Sequence, residues 1–127
     1  MDVEQIKSFV LGLIQSKEGV KPTEFKKEKE LFVSKYNKDG KEFLICYVDK
    51  LSLLKSFEYR YLFCDYSLKN LEELERNWDS YSKNKDLIVY FVSQGFEYFC
   101  LKPFAMSLVT DKDNLGKSLR SLYSKSE

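Results

Sequence analysis

Hydrophobic residues near the start of the chain recur at helical spacing. In residues 2–18 the apolar positions include Val3, Ile6, Phe9, Val10, Leu13 and Ile14. Intervals of three and four residues place these side chains on one stripe of an α-helix. Asp2 is suited to the N-cap, and Gly19 is suited to the position just after the helix end. The pattern therefore predicts a helix over residues 2–18 whose apolar stripe faces the core.

The hydrophobic period changes in residues 30–49. Two runs rich in β-branched and aromatic residues, 31–36 and 43–48, flank the turn sequence Asn-Lys-Asp-Gly at 37–40. An Asp-Gly turn between such runs is typical of a β-hairpin. In the alternative, a winged-helix arrangement, residues 41–54 would form a recognition helix, because some apolar residues there also fall near helical spacing. The turn and the residue types favour the hairpin.

The remaining elements follow the same two periods. Residues 57–64 alternate as a strand, and Ser67 is a suitable N-cap for a helix. The apolar side of that helix carries Leu68, Leu71, Leu74, Trp78 and Tyr81. Residues 87–92 and 96–101 read as a second hairpin that Pro103 ends, and 111–124 as a final helix. The stretch 21–29 is basic but interleaved with acids, so we interpret it as a solvated linker.

This order of elements, α-β-β-β-α-β-β-α, predicts the fold class. Segregated hairpins and helices are typical of α+β proteins. We expect a single α+β domain over residues 1–127, with one mostly antiparallel sheet and helices packed on a face.

The composition excludes several classes of function but does not indicate a specific one. Of 127 residues, 43% are hydrophobic and 32% charged, and the formal net charge is +1. A near-neutral chain lacks the broad basic field of a dedicated nucleic-acid binder. No apolar run is long enough to span a membrane and no signal-peptide pattern is present, so we expect no membrane partner. The chain contains no histidine, which excludes serine–histidine and cysteine–histidine catalysis and most zinc sites. We expect no cofactor.

The three cysteines indicate the compartment. Cys46, Cys64 and Cys100 are odd in number, form no Cys-x-x-Cys pair and lie in apolar runs. Free thiols of this kind behave as small hydrophobic residues. We expect all three to be buried and the protein to be cytoplasmic, where thiols stay reduced.

One set of charged residues suggests catalysis. An α-β-β-β-α-β core resembles that of restriction-endonuclease-like nucleases, in which an acid on one strand and Glu-x-Lys on the next hold magnesium and support the attacking water. Asp49 followed by Glu58 and Arg60 is the nearest match here. Arginine is a poor replacement for that lysine, and a surface ion pair explains the same residues. In this alternative Lys26, Lys27, Lys29, Lys35 and Arg60 would contact nucleic acid.

Aromatic density suggests a binding surface instead. The strands carry aromatic residues on both faces, and only one face can pack on helices that lie on a single side of the sheet. Tyrosine buries a large area while keeping a polar group, so it is favoured at interfaces. The candidate interface residues are Tyr59, Tyr61, Phe63, Tyr66 and Tyr98.

The function expected from the sequence is therefore non-catalytic binding of a macromolecule, most simply a protein. The order of elements and the size resemble the small secretion-chaperone type of fold, and inhibitor, immunity and assembly-subunit roles fit equally well. A homodimer would hide aromatic strand faces. The alternative is a nucleic-acid-binding protein on a nuclease-like core, active or degenerate.

Overall fold

A computed structural model describes residues 3–28 and 30–125. The helices are α1 (Val3–Glu18), α2 (Leu68–Arg76), α3 (Trp78–Ser82), α4 (Pro103–Val109) and α5 (Lys112–Lys125). The strands are β1 (Glu24–Glu28), β2 (Leu31–Lys38), β3 (Lys41–Val48), β4 (Tyr61–Asp65), β5 (Ile88–Val92) and β6 (Tyr98–Leu101), and a 3₁₀ turn covers Leu51–Leu53. The Asp2 cap lies outside the described residues.

The strands form one sheet in chain order, from β1 at one edge to β6 at the other. The β1–β2, β2–β3 and β5–β6 pairs are antiparallel, whereas β3–β4 and β4–β5 are parallel. The α+β class with a mostly antiparallel sheet is therefore confirmed. Because the central strands β3, β4 and β5 run in one direction, their carboxyl ends meet at the same end of the sheet.

The β2–β3 hairpin follows from its turn residues. Asp39 and Gly40 both have positive φ, 54° and 81°, which is what a tight hairpin turn of the primed type requires. The Gly40 amide also donates to Asn37 Oδ1 at 3.2 Å. Residues 41–48 are a strand, so the winged-helix alternative is wrong.

Helices cover both faces of the sheet. The stripe of α1 packs on one face, where the buried residues are Ile6, Val10, Ile14, Phe32, Tyr36, Phe43, Ile45, Tyr47, Tyr61, Phe63, Tyr90 and Val92. The other face packs on α2, α3 and α5, with buried residues that include Cys46, Leu62, Cys64, Leu71, Leu74, Trp78, Tyr81, Phe91 and Leu119. Strands β3, β4 and β5 are therefore apolar on both sides, which is the composition expected of a buried parallel region.

Several predicted boundaries differ from the structure. The segment interpreted as a linker contains the edge strand β1, because its backbone pairs with β2 despite its charged side chains. The long helix after Ser67 is interrupted at Asn77, whose φ of −108° and ψ of 28° leave the helical region. Pro103 ends β6 but also begins α4, since proline is well suited to the first helical position. Strand β4 begins only at Tyr61.

Candidate functional site

The predicted aromatic interface lies largely in the core. Tyr61 is 5% exposed and Phe63 is fully buried, because α1 covers that face of the sheet. Tyr59 is half-buried against the opposite core. Tyr66 is also half-buried, its ring stacks on Tyr123, and its hydroxyl donates to the Tyr123 carbonyl. The expectation of a free aromatic sheet face is therefore wrong for Tyr61 and Phe63.

Tyr98 is the one predicted interface residue with a large exposed fraction, 44%. Its ring lies 6.0 Å from that of Phe9 on α1, and the Phe9 ring lies 5.3 Å from that of Phe96. Phe9 and Phe96 are half-buried. We call Phe9, Phe96 and Tyr98 the aromatic patch; it lies beside the β6 edge, on the face that α1 covers.

The turn before β6 holds Phe96 in an unusual conformation. Phe96 has a φ of 62°, in the left-handed region that bulky residues rarely adopt. Its amide donates to the Ser93 carbonyl at 3.0 Å, and the Ser93 amide donates to the Glu97 carbonyl at 2.8 Å. Gly95, which could adopt a positive φ without cost, stands one residue earlier and does not. The turn therefore places an aromatic ring at the position where glycine would fit better.

An open groove adjoins the aromatic patch. It has a volume of about 480 Å³ and lies between Phe9, Phe96 and the polar residues Glu4, Gln5 and Ser8 of α1. Apolar surface rimmed by polar residues is typical of interaction sites. Helical periodicity assigned Phe9 only to the core, and nothing in the sequence marks the φ of Phe96.

A second concave region lies at the carboxyl ends of the parallel strands. In the β3–β4 register Val48 is paired with Cys64, so the next residues, Asp49 and Asp65, are neighbours. Both line a crevice of about 390 Å³ together with Tyr47, Lys27 and Lys50. In open sheets with parallel strands, ligands are commonly bound outside the carboxyl ends of the strands where the strand order reverses, and the order β3, β4, β5 has no such reversal.

Asn70 fixes the backbone at this crevice. Its buried side-chain amide donates to the carbonyls of Asp49 and Asp65, each at 2.9 Å. Its Oδ1 accepts from the Leu51 amide at 2.9 Å. One side chain of α2 therefore connects the ends of β3 and β4 to the 3₁₀ turn, which explains why a polar residue is buried here.

The two carboxylates repel each other. Burial raises the pKa of Asp65, and the charge of Asp49 raises it further. Burial also raises the pKa of Tyr47, to which both aspartates add. Among residues 3–28 and 30–125, neither carboxylate forms an ion pair with a side chain, and no group of three or more Cys, Asp or Glu residues is placed to hold a metal ion.

The residues of the nuclease hypothesis are not brought together. Glu58 and Arg60 precede β4, and the Arg60 amide donates to the Leu44 carbonyl. They therefore lie at the amino end of β4, whereas Asp49 follows the carboxyl end of β3. The match requires Glu58 and Arg60 to lie on a strand, and neither does, because β4 begins only at Tyr61.

Arg60 instead belongs to a structural ion cluster. Its guanidinium is 3.3 Å from Glu18 Oε1, and Lys38 Nζ is 3.0 Å from Glu18 Oε2. The Tyr61 hydroxyl also donates to Glu18. That hydrogen bond is the main reason why the pKa of Glu18 is below its usual value, and the two cations lower it further. The cluster attaches the end of α1 to the sheet.

The lysines of the nucleic-acid hypothesis lie at the β1 side of the sheet. Lys26 and Lys27 are exposed on β1. Lys35 on β2 is 3.5 Å from Glu24, so an acid partly neutralises it. Lys29 lies outside the described residues. On β1 the acids Glu24 and Glu28 stand at the two ends of the strand, on either side of Lys26 and Lys27.

The cysteines differ from one another. Cys46 and Cys64 are buried as predicted, but Cys100 is exposed because it lies on the edge strand β6. None of the three forms a disulfide. Within the described part of the chain, no helix has the length and hydrophobicity to span a membrane.

Comparisons of the chain with protein-family models, with curated proteins and with solved structures found no match.

Proposed function

We propose that this protein binds another protein, without catalysing a reaction, through the aromatic patch of Phe9, Phe96 and Tyr98. The observation that carries the proposal is the positive φ of Phe96. A bulky residue in the left-handed region costs about 1–3 kcal/mol, and such residues cluster at functional sites. A glycine at this position would remove the cost, so we attribute the phenylalanine at this position to a function of its ring.

The surroundings of the patch indicate the chemistry of the partner. Glu97 lies between Phe96 and Tyr98 in the chain and is an exposed acidic side chain. Complementary charges favour encounter and fix the register of an interface. The partner is therefore a protein segment with an apolar anchor next to lysine or arginine. The free thiols support a reducing, cytoplasmic setting for this interaction.

The test is site-specific photo-crosslinking in extract of the source cells. A benzophenone side chain is placed at Ser8, which borders the groove, and at Lys83, an exposed control position at the end of α3, which packs on the opposite face of the sheet. We expect a protein adduct of defined mass from position 8 and not from position 83. Adducts of equal yield from both positions, or none from position 8, would overturn the proposal.

The matched variant is Phe96→Asn. Asparagine tolerates a positive φ, so relief of backbone strain offsets the lost ring contacts and the melting temperature should stay near that of the wild type. The position-8 adduct should disappear, and the purified adduct partner should bind the variant at least tenfold more weakly. Unchanged partner binding by folded Phe96→Asn would contradict a role for the patch.

Titration of the purified protein with nucleic acid tests the alternative function, nucleic-acid binding. Labelled single- and double-stranded oligonucleotides are titrated by fluorescence anisotropy over a salt series, with and without Mg²⁺. Affinity that falls linearly with the logarithm of salt concentration would assign the protein to the nucleic-acid class instead. We expect no binding at low salt.

A further inference from the structure

A crevice near the aromatic patch combines an apolar lining with charged side chains. It is the cavity of about 390 Å³ at the carboxyl ends of the parallel strands. Its apolar residues are Ile6, Leu31, Phe32, Tyr47 and Leu53. The rings of Phe32 and Tyr47 are stacked, with their centroids 5.4 Å apart. Concave sites that bind a ligand or a side chain usually have such an apolar lining with a small number of polar groups.

Carboxylates outnumber cations in the rest of the lining. The charged residues that line the crevice are Lys27, Glu28, Glu30, Asp49, Lys50 and Asp65. Within the part of the chain that the structure describes, none of these six side chains forms an ion pair. An interface places a positive group where its partner surface is negative. The excess of carboxylates therefore favours a cation as the occupant of this crevice.

The fold holds the two aspartates of the crevice in place. Each follows a strand of the parallel pair β3–β4, and the Asn70 amide donates to both of their backbone carbonyls at 2.9 Å. Asp65 is half-buried, and burial together with the charge of Asp49 raises its pKa. A cation beside both carboxylates relieves their repulsion. Because the backbone is already fixed, binding such a cation requires little further ordering of the protein.

The crevice and the groove of the aromatic patch are neighbours. Gln94 lines the crevice, and Phe96, two residues later, lines the groove. Likewise Ile6 of α1 lines the crevice, while Gln5 and Phe9 line the groove. Two residues of chain span at most about 7 Å. One extended partner segment can therefore reach both openings.

We propose that the crevice binds an arginine side chain of the partner segment whose apolar anchor occupies the groove at Phe9 and Phe96. This assignment rests on the proposed function and adds to it a site for the basic residue. The methylene groups of arginine pack on the apolar lining, and its guanidinium donates to Asp49 and Asp65 through its planar fork of N–H groups. Lysine carries a compact charge without that fork, so two neighbouring carboxylates favour arginine.

The first test uses Nα-acetyl-arginine N-methylamide, a probe whose only charge is the guanidinium. It is titrated into the ¹⁵N-labelled full chain at constant ionic strength, up to about 50 mM, a range that includes the weak affinity of a single side chain. We expect saturable shifts of the backbone amides of Asp49, Lys50 and Asp65 in NMR spectra. The citrulline analogue, which has nearly the same shape and no charge, should bind at least about fivefold more weakly.

Matched variants locate the site of the probe. Asp49→Asn and Asp65→Asn should each raise the dissociation constant of the probe about fivefold. Asp86→Asn removes the same charge from an exposed residue that lines a different cavity, and it should leave the constant unchanged. The two aspartates are replaced separately, so either one decides the question if the other variant does not fold. The inference is overturned by the absence of saturable shifts, by equal affinity for the citrulline analogue, or by an equal effect of Asp86→Asn.

Photo-crosslinking separates this inference from the proposed function. A benzophenone side chain at Lys50, which lines the crevice, should give an adduct with the same partner as position 8, and that partner should bind Asp49→Asn about fivefold more weakly than the wild type. A position-8 partner that binds Asp49→Asn as tightly as the wild type would overturn the inference and leave the proposed function intact. Binding of the arginine probe without any adduct from position 8 would overturn the proposed function and its link to the groove, while the arginine site would stand.

Discussion

Replacing Tyr36 with phenylalanine should stabilise the fold. Tyr36 is fully buried beneath α1, its ring is stacked on Phe43 at 5.0 Å, and its hydroxyl has no hydrogen-bond partner among the described residues. Burial raises the pKa of this hydroxyl to about 12. Phenylalanine keeps the ring and its stacking and removes only the unpartnered oxygen.

The size of the effect follows from the desolvation of that oxygen. A buried polar group without a partner costs about 1–3 kcal/mol. Loss of the contacts that the oxygen makes offsets part of this, so we expect a net gain of about 1 kcal/mol in the free energy of unfolding. For a chain of 127 residues this corresponds to a rise of roughly 3–5 °C in melting temperature.

Tyr61→Phe is the matched control, because the same atom is removed from the same core. The Tyr61 hydroxyl donates to the buried carboxylate of Glu18, so its removal should destabilise the fold by about 1.5–3 kcal/mol. Urea unfolding at pH 7 measures both variants from the shift in midpoint at constant m-value. A loss of more than about 0.5 kcal/mol for Tyr36→Phe, a shift larger than most neutral substitutions produce, would refute the reasoning and indicate a bound water at that hydroxyl.

Three further substitutions test the interactions around the sheet ends. Glu18→Gln should lower the free energy of unfolding by about 1–2 kcal/mol at pH 7. Because folding lowers the pKa of Glu18, the difference from the wild type should shrink as the pH falls below about 4.5 and through the lowered pKa of Glu18 in the folded state. Urea unfolding at pH 7 and pH 3 measures this change. Asn70→Ala removes the three hydrogen bonds of a buried side chain and should cost about 3 kcal/mol by the same assay. A cost below about 1 kcal/mol would mean that water replaces the amide. Asp49→Asn removes a repulsive charge beside Asp65 and should stabilise the fold by about 0.5 kcal/mol at pH 7. That gain should vanish as the pH falls through the raised pKa of Asp65, and a loss at pH 7 would show that Asp49 has an attractive partner.

The elements that the sequence predicts well are those with a local cause. Helix α1 follows from one apolar stripe, and the β2–β3 hairpin from an Asp-Gly turn that needs two positive φ angles. Ser67 accepts from the Asn70 amide at 3.2 Å as the predicted N-cap. In each case, residues within a few positions of one another determine the conformation.

The elements that it misses depend on distant partners. The five residues of β1 have little intrinsic strand character, and they form a strand because β2 provides a hydrogen-bonded template. Likewise, no local pattern shows whether a strand such as β4, apolar on both sides, has one covered face or two. That depends on where α1 and α2 pack, so the sequence pattern places Tyr61 and Phe63 on a surface although both are buried in the fold.

In the candidate sites too, the sequence identifies single residues but not the neighbours that only the fold brings to them. Asp49 is a visible acid after a predicted strand, but its neighbour in space is Asp65 and not Glu58, because β4 pairs parallel with β3 and in a register that the sequence does not reveal. Tyr98 is identifiable as an aromatic residue near a turn. The contribution of Phe9 and Phe96 to the same surface requires the fold, which brings α1 alongside β6.

Two features of this protein reduce its stability in different places, and comparison of them separates folding from function. The unpartnered hydroxyl of Tyr36 is enclosed in the core, where no partner can use it, so its removal should increase stability and leave binding unchanged. The positive φ of Phe96 is at the surface beside the groove, so Phe96→Asn should leave stability unchanged and abolish binding. Departures from local preference are expected at functional sites. Of these two, only the strained Phe96 can be part of a binding site, because a partner can reach it. If Tyr36→Phe and Phe96→Asn affected partner binding equally, the backbone strain at Phe96 would have no role in binding, like the unpartnered hydroxyl of Tyr36.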